Sequence, residues 1–255
     1  MNLNKTKIVA TIGPASSSRS MLSKLISSGV DVFRVNFSHA AHKEVKRIVS
    51  DIKALRVEHK KHVSILGDLQ GPKIRIGNVK EGVILKKNDE IVFSTKKVNA
   101  GDENAVHIGY SLFPKDVKKD EKVLVDDGKL ILRVLKTNKL DEVKLLVLQG
   151  GELKSNKGVN LPNTKISLPA LTEKDILDAK FAIKNSFDWI ALSFVRSKKD
   201  VLMLKDLILS ETKNPVPVIS KIEKPQAISK LESILKVSDG LMAVSYTHLR
   251  AHETS

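Results

Sequence analysis

The chain contains no cysteine, which excludes a disulfide framework, a thiolate metal centre and a thiol nucleophile. Aromatic residues are scarce, 4% of 255, so the stacking platforms of single-strand nucleic-acid binders are largely missing. No apolar run is long enough to cross a bilayer, and the polar start Met1–Lys7 leads into a strand without a signal-peptide core. Neither a Walker A loop nor a G-x-G-x-x-G turn is present, so P-loop and protein-kinase chemistry do not fit. Acidic residues are the short side of the charge balance, 29 against 44 Lys and Arg, for a formal charge of +15. The lysines are scattered in ones and twos, and such a surface suits phosphorylated metabolites better than a nucleic-acid backbone. These features predict a soluble, cytoplasmic protein with neither a nucleic-acid nor a membrane partner.

What is present is a rhythm of strands and helices. Lys7–Ile12, Val30–Phe37 and Val63–Leu66 read as strands. A helix with Met21, Leu22, Leu25 and Ile26 on one face, and a second over His42–His59, lie between them. From Lys73 to about Leu168 no helix is evident; short β-rich runs separated by turn signals predict a small inserted all-β domain. The helical rhythm resumes with a capping box at Thr172 and Asp175. Strands over Asp188–Val195, Val216–Ile222 and Gly240–Val244 follow, with helices after Ser197 and over Pro225–Val237. Strands thus begin about every 23–33 residues, the spacing of a (β/α)8 barrel, of which some five and a half strands are present. The expectation is an α/β protein: an incomplete (β/α)8 barrel over 1–72 and 169–244, a β domain over 73–168, and an unrelated tail over 245–255.

Barrel chemistry sits at the C-terminal ends of the strands. Arg34, Asn36 and Ser38 end the second strand, Asp68 the third and Arg196 the fourth, while Lys221 and Glu223 end the fifth. Two residues apart on a strand, Lys221 and Glu223 share a face. Arg34, Arg75 and Lys221 together suit a phosphate; Asp68 and Glu223 suit hard cations. That is equipment for phosphoryl transfer, where the protein mainly positions groups and neutralises charge.

Six stretches then carry a resemblance. T-K-I-V-A-T-I-G-P-A-S from Thr6, F-R-V-N-F-S-H (Phe33–His39), D-L-Q-G-P-K-I-R (Asp68–Arg75), K-G-V-N-L-P (Lys157–Pro162), L-P-A-L-T-E-K-D (Leu168–Asp175) and I-S-K-I-E (Ile219–Glu223) resemble pyruvate kinases, in the family's order. The resemblance implies phosphoryl transfer between phosphoenolpyruvate and ADP, giving pyruvate and ATP. It implies that Arg34 binds the substrate phosphoryl group and that Lys221 stabilises that group in the transition state. Glu223 would be one of two Mg2+ carboxylates, and Arg75 and Lys157 would reach the nucleotide phosphates, Lys157 from the inserted domain acting as a lid. Asn36, Ser38, Asp68 and the Leu69 carbonyl match the family's monovalent-cation site. The full-length parent would be a homotetramer. A binder of phosphoenolpyruvate or nucleotide without transfer, and a lyase barrel handling phosphoenolpyruvate or pyruvate, are the alternatives; the inserted domain with K-G-V-N-L-P favours the kinase over the lyase.

After Asp239–Met242 the resemblance implies an R-G-D-L-G segment carrying the second Mg2+ carboxylate, and the chain has instead Ser245–Ser255, which reads as foreign. His248 and His252, four apart in it, have metal-ligand spacing but read as part of that tail. An inactive, aggregating chain is the expectation. Lys73 stands where many family members have a Glu and require K+; those with Lys there, after Leu-Gln-Gly-Pro, work without it. The Lys73 ammonium would supply the monovalent charge, so the full-length parent is expected to turn over equally in Na+ and K+ buffers. Strong activation by K+ would sink this.

Overall fold

Residues 5–243 are described by the computed structural model; Val244 and the tail 245–255, with His248 and His252, lie outside the described residues. The chain divides into two compact units, Lys73–Leu168 and the segments on either side of it.

The flanking unit begins with β1 (Val9–Thr11), α1 (Arg19–Ser27), β2 (Val32–Asn36), α2 (His42–His59) and β3 (Ser64–Asp68). Ser18 caps α1 by accepting a hydrogen bond from the Met21 amide, and Leu22 and Ile26, one turn apart, are its fully buried face. In α2 the residues Val45, Ile48, Val49, Ile52 and Leu55 recur at helical spacing and are all buried.

The inserted unit contains β4 (Ile84–Leu85), β5 (Glu90–Ser94), β6 (Ala105–His107), the single turn α3 (Phe113–Asp116), β7 (Lys122–Val125), β8 (Leu130–Thr137), β9 (Glu142–Gln149), β10 (Gly151–Glu152) and β11 (Val159–Asn160). Six of its strands form one sheet in the order β11-β7-β8-β9-β5-β6. In β8 and β9 every second residue is buried, Leu130, Leu132 and Val134 against Val143, Leu145 and Val147, which gives the unit its own core. The turn α3 corrects the expectation of a helix-free insert; Pro114 near its start suits a first helical turn.

The flanking unit resumes with α4 (Glu173–Lys184), β12 (Trp189–Leu192), α5 (Lys198–Glu211), β13 (Val218–Ile222), α6 (Pro225–Ile228), α7 (Leu231–Leu235) and β14 (Gly240–Ala243). The capping boxes at Thr172/Asp175 and Ser197/Asp200 are both formed. The helix expected over Pro225–Val237 is two short ones, because the chain leaves helical geometry at Lys230 (φ −121°, ψ 14°). Ile234 is buried as the periodicity predicts, whereas Ile228, Leu231 and Leu235 are exposed.

All six strands of this unit are parallel, in the order β1-β2-β3-β12-β13-β14. A doubly wound sheet reverses its order midway; an uninterrupted order with a helical crossover between most neighbours is the winding of a (β/α)8 barrel. The register sets Arg34 beside Leu66 and Asn36 beside Asp68, bringing the polar strand tips into one row.

Asp68 is followed by Leu69, Gln70 and Gly71, where the chain turns out of the unit. Gly71 has φ +69°, and a Cβ there would lie 2.8 Å from Phe194 Cδ2 and 3.0 Å from Ser193 Cβ. Gly71→Ala is therefore expected to destabilise this unit by about 2 kcal/mol or more, read from the urea unfolding midpoint. An unchanged midpoint would contradict the packing described.

Candidate active site

Asp68 is 1% exposed, and a carboxylate so buried must be paired or protonated. It is paired twice. Arg34, from β2, donates Nε to Asp68 Oδ2 at 2.7 Å, and its Nη2 lies 2.5 Å from the same oxygen. Lys221, from β13, donates Nζ at 3.1 Å to Oδ1 and 3.3 Å to Oδ2. The Lys221 ammonium also reaches Ser193 Oγ at 2.9 Å and lies 3.2 Å from Glu223 Oε1. Strand pleating thus puts Lys221 and Glu223 on one side, as their spacing predicts. Arg34 Nη1 donates to Thr11 Oγ1 at 2.9 Å, so β1 also joins the cluster.

The second carboxylate is fixed from β12. Phe194 takes a left-handed backbone (φ +54°), and its amide donates to Glu223 Oε2 at 2.8 Å. This twist ends β12 at Leu192, three residues short of the strand expected, and frees Ser193 to donate its hydroxyl to the Leu69 carbonyl at 2.6 Å. Lys224 lies over the Phe194 ring, 5.4 Å from its centroid.

Arg34, Asp68, Lys221 and Glu223, expected at strand ends, and the Leu69 carbonyl, expected from the resemblance, are brought together by the structure. Ser193, Thr11 and Phe194 were missed: each joins the cluster through partners far off in sequence, and no periodicity or spacing marks them. Asn36 and Ser38 pair with each other, the Ser38 amide donating to Asn36 Oδ1 at 3.0 Å. Arg196 turns to its own helix, Nε 3.8 Å from Asp200. Arg75, Lys157 and Lys73 belong to the inserted unit. There Arg75 donates Nη1 to the Asn156 carbonyl at 2.8 Å and forms a β-bridge with Gly158, which sets it next to Lys157. Lys157 Nζ lies 3.0 Å from Asp126, whose carboxyl is held below its ordinary range by hydrogen bonds from Lys129 and then Lys157. Lys73 packs by the same turn, its Cε 3.7 Å from where a Cβ on Gly158 would sit.

Beside the cluster, still within the flanking unit, is a cavity of about 390 Å3. Its lining is mostly apolar, with Ile12, Val35, Val45 and Ile48, and includes Thr11, Asn36, His39 and Glu44. An apolar pocket next to a paired arginine suits a ligand with a flat or apolar body and an anionic end. Among the described residues no group of three His, Asp or Glu side chains converges as a metal shell. No described helix is long and apolar enough to cross a membrane.

A singly wound parallel sheet with two cations and two carboxylates interlocked at its strand tips defines a protein of the βα-barrel class. Residues 3–246 match the family model described as "Pyruvate kinase, barrel domain". The chain is 44% identical over 242 residues to the pyruvate kinase of Staphylococcus aureus (strain MRSA252), covering 94% of this chain and 41% of that protein. It is 43% identical over 242 residues to that of Staphylococcus epidermidis (strain ATCC 35984), with the same coverage of each. The chain belongs to the pyruvate kinase family, and it spans about two fifths of the length of these relatives.

Lys224 gives the site a pH signature. Burial pushes its ammonium down from 10.5 to about 8; Glu223 pulls the other way, and the Arg196 charge adds a smaller push down. Between those values the unfolded chain holds the proton more often than the folded one, so stability rises with pH. The full gain is on the order of 3 kcal/mol. Urea midpoints measured from pH 7 to pH 10.5 should climb after pH 8 in the wild type and lose most of that climb in Lys224→Met. Parallel curves for the two proteins would contradict it.

Proposed function

We propose that this chain carries the phosphoenolpyruvate site and part of the nucleotide site of a pyruvate kinase, which moves a phosphoryl group between phosphoenolpyruvate and ADP. The observation that supports this most is the sharing of one buried carboxylate, Asp68, by Arg34 and Lys221. Two cations so held present preorganised positive charge to a phosphoryl group, and no reorganisation is needed when charge shifts onto its oxygens. Arg34, with a forked guanidinium at the cluster's edge, takes the substrate phosphoryl group. Lys221, central and 6% exposed, stabilises that group as it transfers. Ser193 and Asp68 hold the ammonium in place.

The cavity beside Arg34 takes the nucleoside of ADP, its apolar wall against the base. Arg75 and Lys157, neighbours in the inserted unit, serve the nucleotide phosphates, and the inserted unit acts as the lid that excludes water. Lys157 exchanges Asp126 for a phosphate oxygen when nucleotide arrives. Glu223 offers one carboxylate to Mg2+, which when bound neutralises charge on the phosphoryl oxygens. Asn36, Ser38, Asp68 and the Leu69 carbonyl are the monovalent-cation site, with the Lys73 charge in place of K+.

A second reading, binding without transfer, draws on the engagement of both Glu223 oxygens, Oε1 with the Lys221 ammonium and Oε2 with the Phe194 amide. Calorimetry with phosphoenolpyruvate tests what the two readings share. Wild-type chain should bind it, and Arg34→Met and Lys221→Met should each weaken binding tenfold or more; Asp68 keeps one cation in either variant. Absence of binding by the wild type would overturn both. Pyruvate release from phosphoenolpyruvate, ADP and Mg2+ then separates them: turnover supports transfer, and binding alone supports the second reading.

A further inference from the structure

The L-P-A-L-T-E-K-D stretch contributes no side chain to the cluster, yet α4, which it opens, holds two segments that line the site. Asp178, one turn into α4, is 2% exposed. It accepts from Lys174 Nζ at 2.5 Å through Oδ2, and its Oδ1 lies 2.7 Å from His42 Nε2. Lys174 also donates to the Phe37 carbonyl at 2.7 Å. The His42 ring stacks on Phe181 of α4, centroids 4.1 Å apart and 15° from parallel, and meets Phe37 edge-on at 6.0 Å.

Phe37 and His42 are the two ends of the loop between β2 and α2. That loop carries Ser38, His39 and Ala40, of which the last two line the cavity beside Arg34. One buried carboxylate, 136 residues away from His42 in sequence, therefore holds one end of the loop directly and the other through Lys174. Nothing in the loop's own sequence accounts for this: the helix it feeds starts after Ala41 with no side-chain cap. Burying Asp178 costs free energy unless it is paired, so the carboxylate holds Lys174 and His42 against it, one on each oxygen.

We infer that Asp178 and Lys174 are positioning residues for nucleotide binding: through His42 and the Phe37 carbonyl they set the 37–42 loop that lines the nucleoside cavity. They touch no reacting group. The inference rests on the proposed nucleotide site but concerns different residues. Its specific consequence is a split between ligands, since phosphoenolpyruvate is held by Arg34 and Lys221, whose partners are Thr11, Asp68 and Ser193.

The test compares Lys174→Met with Lys174→Arg in the 255-residue chain, by calorimetry with ADP and separately with phosphoenolpyruvate. Lys174 is half exposed, so its removal leaves the fold, and Asp178 keeps His42. Lys174→Met is expected to weaken ADP binding five- to tenfold and leave phosphoenolpyruvate binding within twofold. Lys174→Arg, which can still donate to the Phe37 carbonyl, should restore ADP binding to within twofold of wild type. ADP binding unchanged in Lys174→Met, or loss of both ligands alike, overturns the inference. If the wild type binds no ADP, the proposed nucleotide site fails, and amide exchange over residues 37–41 decides the clamp on its own. Faster exchange in both Lys174→Met and Asp178→Asn supports it, and exchange at the wild-type rate overturns it.

Discussion

The buried carboxylate of Asp68 is the constraint on which the candidate site depends. A single ionised group that deep in the sheet would be untenable, and each of its two cations comes from a different strand. Arg34 and Lys221 can both reach it only if β2, β3, β12 and β13 lie in that order with the right register. Fold and site are therefore one requirement: a slip of one residue would turn every side chain of a strand to the other face and leave the pair uncompensated. Buried pairs are a weak source of net stability but a strong penalty on wrong arrangements.

Around that core the structure places successive supports. Ser193 ties Lys221 to the Leu69 carbonyl; the left-handed turn at Phe194 gives its amide to Glu223; Gly71, with no Cβ, lets the departing chain press against both. Asp175 lies beneath, fully buried, accepting from the Gly71 amide at 3.0 Å and from the Thr172 amide at 2.9 Å. Most of these supports are short polar contacts to backbone. They fix where the chain runs at the strand tips, which fixes where the functional side chains point.

Much of this was legible in the sequence, and the reason it was is local. The helix His42–His59 matches its periodicity residue for residue, because a 3.6-residue apolar repeat has one good solution. Lys221 and Glu223 were readable because strand pleating is fixed. The rest depends on distant partners. Asp188–Val195 looks like eight residues of strand, yet it ends at Leu192, since the turn at Phe194 answers to a carboxylate 29 residues on. Pro225–Val237 has the apolar spacing of one helix but is two, and Ile228, Leu231 and Leu235 are exposed. The cavity left no trace because β1, β2 and α2 enclose it only once packed, and the Asp178 clamp left none because it reaches His42 across the whole inserted unit in sequence.

That same crossing has a consequence for how the molecule reaches its native state. Most neighbours in the parallel sheet are separated by a single helical connection, so each can zip onto its predecessor as it emerges from synthesis. The pairing of β3 with β12 is the exception: it must wait for about 120 residues, a closure that costs a free chain about 4 kcal/mol of entropy. The insert has a hydrophobic core of its own and can collapse independently, which draws the two halves together before they pair. Its β-strands thereby act as a folding staple, and the order of assembly is encoded in where that core was placed along the chain.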